Sequence, residues 1–304
     1  MTEKIPFIFD KVFKRILTLS SKAVTNLING LFGTNYPEDS EITYNWTEFE
    51  DDTLRKTLAD TILTINHSHS YHLEAQMTED ADIVFRVFEY GFHHANRTHS
   101  SDGHCYLLNF PEPKIIYLYS ETEIPEKYTL RLQFEKQQYF DYEVSTINLQ
   151  NISVEELNQR KLILFIPFQL LKMRKLLAKN RTPEVIAQLK KLLNHDILDS
   201  ISRNVTLGNI SVDDALRLSK LTGHLLHHLY DDYKEVEEVC DMYDQSLILD
   251  VDLYIEEREE QRKQLAQLSE QLSQQNEQLS QKDEQLSQQA EEISRLKAEL
   301  AKRN

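Results

Sequence analysis

Apolar positions fall at helical spacing over residues 7–32, where Phe7, Phe13, Ile16, Leu17, Val24, Leu27, Ile28 and Leu31 make one stripe. Asn29-Gly30 or Gly33 supplies its stop signal. The period then drops to two. Residues 41–48 alternate and predict a strand, and 50–56 are polar and predict a loop. Residues 58–65 and 71–76 are β-rich runs on either side of the polar turn Asn-His-Ser-His-Ser, the local signature of a hairpin. After a break at 77–80, Ile83, Val84, Val87 and Phe88 restore a helical stripe over 81–97, with Gly91 inside it. The stretch up to Pro113 has no period and reads as loop. Residues 114–119 form a short continuous apolar run, as in a strand buried on both faces. Residues 128–134 and 140–148 alternate again. Helix, strand, hairpin, helix, strand predicts an α/β fold built on a mixed sheet.

From Glu155 the pattern is helical throughout, over 155–180, 182–203, 211–232 and 234–250. Thr182-Pro183 places proline at a first helical position, and Ser211-Val-Asp-Asp214 has the form of a capping box. The last 42 residues are six consecutive heptads from Lys263. Leu265, Leu272, Leu279, Leu286, Ile293 and Leu300 hold one seam position; Leu268, Gln275, Lys282, Gln289, Leu296 and Arg303 hold the other. A leucine seam beside a polar one predicts a weak coiled coil, and homo-oligomerisation through residues 263–304 is the expectation; a solvated single helix is the alternative. The pattern divides the chain into an α/β core at 1–155, a helical region at 156–252 and a coiled-coil tail at 253–304.

Composition changes this picture little. Forty per cent hydrophobic and 28% charged residues suit a globular chain. The net charge of −16 argues against a surface coated in basic patches, but the charge is uneven. Between Leu157 and Pro183 there is no acid, while Arg160, Lys161, Lys172, Arg174, Lys175, Lys179 and Arg181 are basic. That stretch is either a contact for a phosphate backbone or the solvated face of an amphipathic helix. Cys105 and Cys240 have no metal-type spacing, there is no signal-peptide pattern, and the longest apolar run (162–171) is too short for a bilayer, so a cytoplasmic protein with no membrane partner is expected.

Chemistry concentrates on the hairpin. Side chains alternate faces along a strand, so Asp60, Ile62 and Thr64 share one face, and Glu74 shares a face with Gln76. A turn centred on Ser68 sets Asp60 opposite Gln76 and Ile62 opposite Glu74, leaving the two acids as diagonal neighbours roughly 5–8 Å apart. Two carboxylates that close repel unless a cation lies between them or one is protonated, and a hard divalent ion such as Mg²⁺ takes one or two carboxylates plus water. Solvated acid pairs on hairpins are the plain alternative. Asp10, in the first turn of its helix, is either an acid favoured by the helix dipole or a further acid near such a site. Arg86 and Tyr90 are four apart and share a helix face. His224 with His227 or His228 could offer two zinc ligands, but the spacing suggests no third, and a structural role is the simpler reading.

Taken in order, Asp10-Lys-Val-Phe13-Lys14, Leu58-Ala-Asp60, Leu73-Glu74-Ala-Gln76 and Arg86-x-x-x-Tyr90 resemble the PD-(D/E)XK nuclease superfamily, and within it the recombination-promoting nuclease/transposase (Rpn, or YhgA-like) family, over about residues 5–180. The resemblance implies a restriction-endonuclease-like core and an endonuclease that cleaves DNA with Mg²⁺ or Mn²⁺. Asp60 and Glu74 match the metal-binding acids, Asp10 an acid of the N-terminal helix, and Arg86 and Tyr90 a helix facing the site or the DNA backbone. Gln76 stands where the superfamily has lysine, and residue 59 is Ala where proline is usual. A glutamine can orient water or donate a hydrogen bond but brings no charge. The other class of function open to this chain is therefore a catalytically inactive nuclease-fold protein that assembles or binds DNA as an oligomer.

Overall fold

The structure, a computed structural model, describes residues 8–45, 48–50, 56–58, 61–135 and 138–247, together with scattered helical positions between 260 and 289. Residues Met1–Leu247 form one compact unit and Ile248–Asn304 a second.

The N-terminal stripe folds as two helices, α1 (Ile8–Ile16) and α2 (Ser21–Phe32), in place of the single one its period suggests. The break comes from a capping residue inside the stripe: the Ser20 hydroxyl accepts the Ala23 N–H, and Ser20 is itself held by Asp214. Gly33, at φ 67°, ends α2. Gly30 lies within the helix for another reason: a Cβ there would stand 2.0 Å from the Arg160 carbonyl oxygen.

Five short strands follow: β1 (Ile42–Asn45), β2 (Glu48–Glu50), β3 (Lys56–Leu58), β4 (Thr61–Ile65) and β5 (His69–Gln76). After α3 (Ile83–Arg97) come a small hairpin of β6 (Ser100–Asp102) and β7 (Cys105–Leu107), where the sequence suggested only loop, and then β8 (Glu112–Tyr117), β9 (Lys127–Gln133) and β10 (Tyr139–Asn148). The main sheet has six strands in the order β1-β4-β5-β8-β10-β9. The outer pairs are antiparallel; β5, β8 and β10 run parallel in the middle. The expected α/β fold with a mixed sheet and flanking helices is therefore present.

The hairpin pairs Ile62 with His72 and Thr61 with Leu73, a register two residues from the one the sequence suggests. The cause is the turn. Asn66 and His67 both take positive φ (50° and 55°), so the chain reverses before Ser68, whose N–H donates to Ile65 O. An even shift leaves every side chain on its expected face.

One face of the sheet, carrying Leu63, Ile65, Tyr71, Leu73, Ile116 and Leu118, packs on a large core with α1 and α2. The other, with Ile115, Tyr117, Tyr142 and Val144, packs under Ile83, Val84 and Val87 of α3. Gly91 belongs in α3 because the Phe110 ring passes 3.0 Å from where its Cβ would be.

The expected helix over 155–180 is interrupted: α4 (Val154–Gln159) stops where Lys161 adopts φ 55°, a 3-10 segment, Ile163–Met173, follows, and α5 (Arg174–Lys179) resumes. All but Lys172 of that 3-10 segment is buried. It lies against α8 (Val212–Tyr230), and its carbonyl at Leu170 accepts the Tyr230 hydroxyl at 2.6 Å. Between them, α6 (Pro183–Lys191) joins α7 (Asp199–Thr206) through a π-helical turn, and a last helical segment covers 237–247.

Candidate functional site

The face of β5 under α3 is polar. Strand side chains repeat every two residues, a rise of about 6.6 Å, and helix side chains every four, about 6.0 Å. The two elements run in opposite directions, so Ser70, His72 and Glu74 meet His94, Tyr90 and Arg86 in three successive rungs. Ser70 Oγ lies 3.3 Å from His94 Nε2 and 2.9 Å from Thr64 Oγ1. The His72 and Tyr90 rings stand 6.0 Å apart, edge to face. Arg86 donates to Glu74 Oε1 at 3.3 Å and to Asp80 Oδ2 at 2.7 Å. Gln76 Nε2 donates to the same Glu74 oxygen at 3.2 Å.

Glu74 is 4% exposed and His72 0%. Among the described residues, Glu74 Oε2 and both ring nitrogens of His72 are buried without a hydrogen-bond partner. His72 Nε2 and Glu74 Oε2 are 3.7 Å apart, too far for a hydrogen bond. A buried polar group left unbonded costs about 1–3 kcal/mol, and a cation held on Oε2 would remove that cost for the carboxylate. A carboxylate oxygen is the hard donor that Mg²⁺ prefers, so this part of the donor set fits such an ion. Burial opposes the charge on Arg86, while Glu74 and Asp80 more than offset it and raise its pKa, so the guanidinium stays charged. Burial, with His72 and Arg97 nearby, lowers the pKa of His94 and favours the neutral ring.

The structure thus brings Glu74, Gln76 and Arg86 into contact and sets Tyr90 one rung away. Asp60 lies outside the described residues; the described pairing of this hairpin ends at Thr61–Leu73. Asp10 does not join the group: its carboxylate takes Lys14 Nζ at 3.3 Å on α1. His72, His94 and Asp80 complete the arrangement and were not anticipated. The signal for them was present, since His72 alternates with Glu74 and His94 continues the four-residue spacing of Arg86 and Tyr90.

The acid-free stretch at 157–183 is not one basic face. Its middle is core, and six of its seven cations are engaged singly. Arg160 pairs with Glu156, and Lys161 donates to the Asn26 side chain. Lys172 donates to the Ile152 carbonyl at 2.6 Å, with burial lowering its pKa. Arg174 lies over Tyr119, Lys175 is 3.9 Å from Glu121, and Arg181 lies over Tyr233.

One further feature borders this group beyond Gln76, whose carbonyl accepts the Leu118 N–H at 2.8 Å. A groove of about 560 Å³ opens at the carboxyl end of β8, between Thr78, Glu79, Tyr119 and Thr122 on one side and Arg174 and Lys175 on the other. Among the described residues, no helix is long and apolar enough to cross a membrane. No known protein family, curated protein or solved structure matches the chain.

Proposed function

We propose that the chain is a metal-dependent DNA endonuclease of the recombination-promoting nuclease/transposase type, with Glu74 at its centre. The observation that carries the reading is the state of that carboxylate. It is buried, fixed through Oε1 by Arg86 and Gln76, and among the described residues has no hydrogen bond on Oε2. The order of elements supports the same reading: a helix, three antiparallel strands (β1, β4, β5), the helix α3, then β8 parallel to β5.

In this reading Glu74 Oε2 and Asp60 hold Mg²⁺ or Mn²⁺. The ion would polarise a phosphoryl oxygen and lower the pKa of an attacking water. Arg86 keeps Glu74 from turning away, and Asp80 in turn fixes Arg86. Gln76 spends its amide N–H on Glu74, which leaves its carbonyl oxygen to orient a water. Tyr90 closes the apolar side of the site over His72. Asp10 keeps only the role of an outer acid, since Lys14 already occupies it.

The engagement of Gln76 also favours a second reading, in which the fold is kept for oligomeric assembly or DNA binding without cleavage. Supercoiled plasmid with Mg²⁺ or Mn²⁺ separates the two. The nuclease reading expects nicking that falls to background in Glu74→Ala and in Asp60→Ala, and rises in Gln76→Lys. Absence of nicking by the wild-type chain with either metal, and by Gln76→Lys as well, leaves the non-catalytic reading.

A further inference from the structure

A second cluster of ligating side chains lies where α8 meets the helical segment after it and shares no residue with the Glu74 group. After α8 the chain turns at 231–236 and returns as the helical segment 237–247. The two helices come close because residue 223 is glycine: a Cβ there would stand 3.0 Å from the Tyr243 ring. The Tyr243 hydroxyl fixes the approach by donating to Ser219 O at 2.6 Å. From this crossing each side presents residues four apart, His227 and Asp231 on one, Cys240 and Asp244 on the other. Residues at that spacing share a helix face. His227 Nδ1 is 3.1 Å from Asp231 Oδ1, and its Nε2 is 3.1 Å from both oxygens of Asp244. One ligand atom each from His227, Asp231 and Cys240 lies within 4.8 Å of the others. Cys240 is 3% exposed.

We propose that His227, Asp231 and Cys240, with Asp244 beside them, bind a thiophilic divalent transition-metal ion, Zn²⁺ before others. The donor types decide the class of ion. Sulfur, imidazole nitrogen and carboxylate suit Zn²⁺ and its neighbours, whereas Mg²⁺ and Ca²⁺ take oxygen shells. The distances decide the geometry. Bonds of about 2.0–2.3 Å in a tetrahedral site place ligand atoms about 3.3–3.8 Å apart, so the observed spread of up to 4.8 Å contracts by about 1.5 Å at most. Asp231 is partly exposed, as is Asp244, and both can turn.

A plainer account makes His227 an imidazolium between two acids. It explains the three polar residues and leaves Cys240 as a small apolar member of the core beside Val236, Val239 and Tyr243, with no use for its sulfur. Burial and the acids Asp231, Asp244 and Asp241 push the Cys240 thiol up to about 12, so a thiolate has no support from its neighbours. A dication on the Nδ1 side of His227 inverts that relation: Asp231 would become a co-ligand, Asp244 would accept the Nε2 proton and orient the ring, and the thiol would give up its proton to the solvent on binding.

The experiment titrates the metal-stripped full chain with Co²⁺ and reads its absorption. One equivalent is expected to give a thiolate-to-cobalt charge-transfer band in the near ultraviolet with tetrahedral visible bands, and Zn²⁺ to remove both. Cys240→Ser should abolish the charge-transfer band, His227→Gln should weaken binding by at least about 10-fold, and Cys105→Ser should leave the spectrum unchanged. Cys105 is an exposed thiol on the β6–β7 hairpin and serves as the control. A wild-type chain without the band, a band that survives Cys240→Ser, or a band lost in Cys105→Ser overturns the assignment. Two of these readouts do not depend on Cys240→Ser folding. Plasmid nicking has no part in the test, so its outcome is independent of the nuclease reading.

Discussion

At the scale of single residues, buried carboxylates organise the molecule in two ways. Among the described residues Glu74 keeps an oxygen unbonded, whereas Asp214 has both oxygens hydrogen-bonded. Asp214 Oδ1 accepts the Ser20 N–H at 2.8 Å, and Oδ2 accepts the Ser20 hydroxyl at 2.5 Å and the Ser211 N–H at 3.0 Å. One side chain thus closes the capping box of α8 and secures the N-cap of α2, 194 residues away in sequence. Burial raises its pKa, and these hydrogen bonds more than offset that, so the folded value lies below the ordinary 3.8. The unfolded chain therefore binds the proton more readily. The stability Asp214 contributes is fully present above pH 3.8 and is lost as pH falls through its depressed folded pKa. Asp214→Asn is expected to cost about 1–2 kcal/mol at neutral pH, since the amide replaces one acceptor by a donor. In urea unfolding the gap between variant and wild type should hold down to about pH 4 and narrow below it. The capping box itself is readable from Ser211-Val-Asp-Asp214. The bond to Ser20 is not, because nothing local in sequence marks a partner so distant. The same limit hid Cys240 from His227: they are thirteen positions apart across a turn, and only the packing of two helices brings them together.

At the scale of elements, periods transferred well and interruptions did not. The alternation at Glu74 and Gln76 and the four-residue spacing of Arg86 and Tyr90 each gave the correct face of β5 and α3, and the same periods extend to His72 and His94. What could not be read was that these faces oppose each other, or that the turn takes two positive-φ residues and moves the register by two. The 3-10 segment was read as α-helix because its apolar run has no period to contradict that; its burial on all sides removes the need for one. The two glycines of α2 illustrate the distinction sharply. Both carry the same stop signal in sequence, yet Gly33 supplies a backbone angle and Gly30 supplies space. Gly30→Ala should lower stability by about 2–4 kcal/mol, because the new methyl meets a backbone carbonyl that cannot step aside. Gly33→Ala has open space around it and should cost only about 1–2 kcal/mol of left-handed strain. Urea midpoints at unchanged m-value measure both, and equal costs would contradict the assignment.

At the scale of the whole molecule, the 304 residues comprise a compact unit and a second unit rich in repeats. In the second, the described positions between 260 and 289 are helical, and Leu268, Leu272, Leu279 and Leu286 are 58–66% exposed. Three of these leucines recur every seven residues, the spacing at which helices bury a shared seam. Self-association through the tail follows as an expectation, weak because the other seam position is largely polar. Sedimentation over a range of concentrations checks it: the full chain should grow in mass with concentration, and a chain ending at Glu260 should remain monomeric. Identical behaviour of both would leave the tail a solitary helix.

The buried segment Ile163–Met173 has a consequence during synthesis on the ribosome. The strands are complete at Asn148, and α1 and α2 are already available to one side of the sheet. The rest of that core, from Leu149 through Tyr243, emerges later. At 5–20 residues per second the interval from Asn148 to Tyr243 lasts about 5–19 s. For that time the nascent chain carries a finished sheet with half of its greasy underside in water. A message truncated near codon 155 would release such a chain permanently, making it a client for chaperones and proteases rather than a small stable domain.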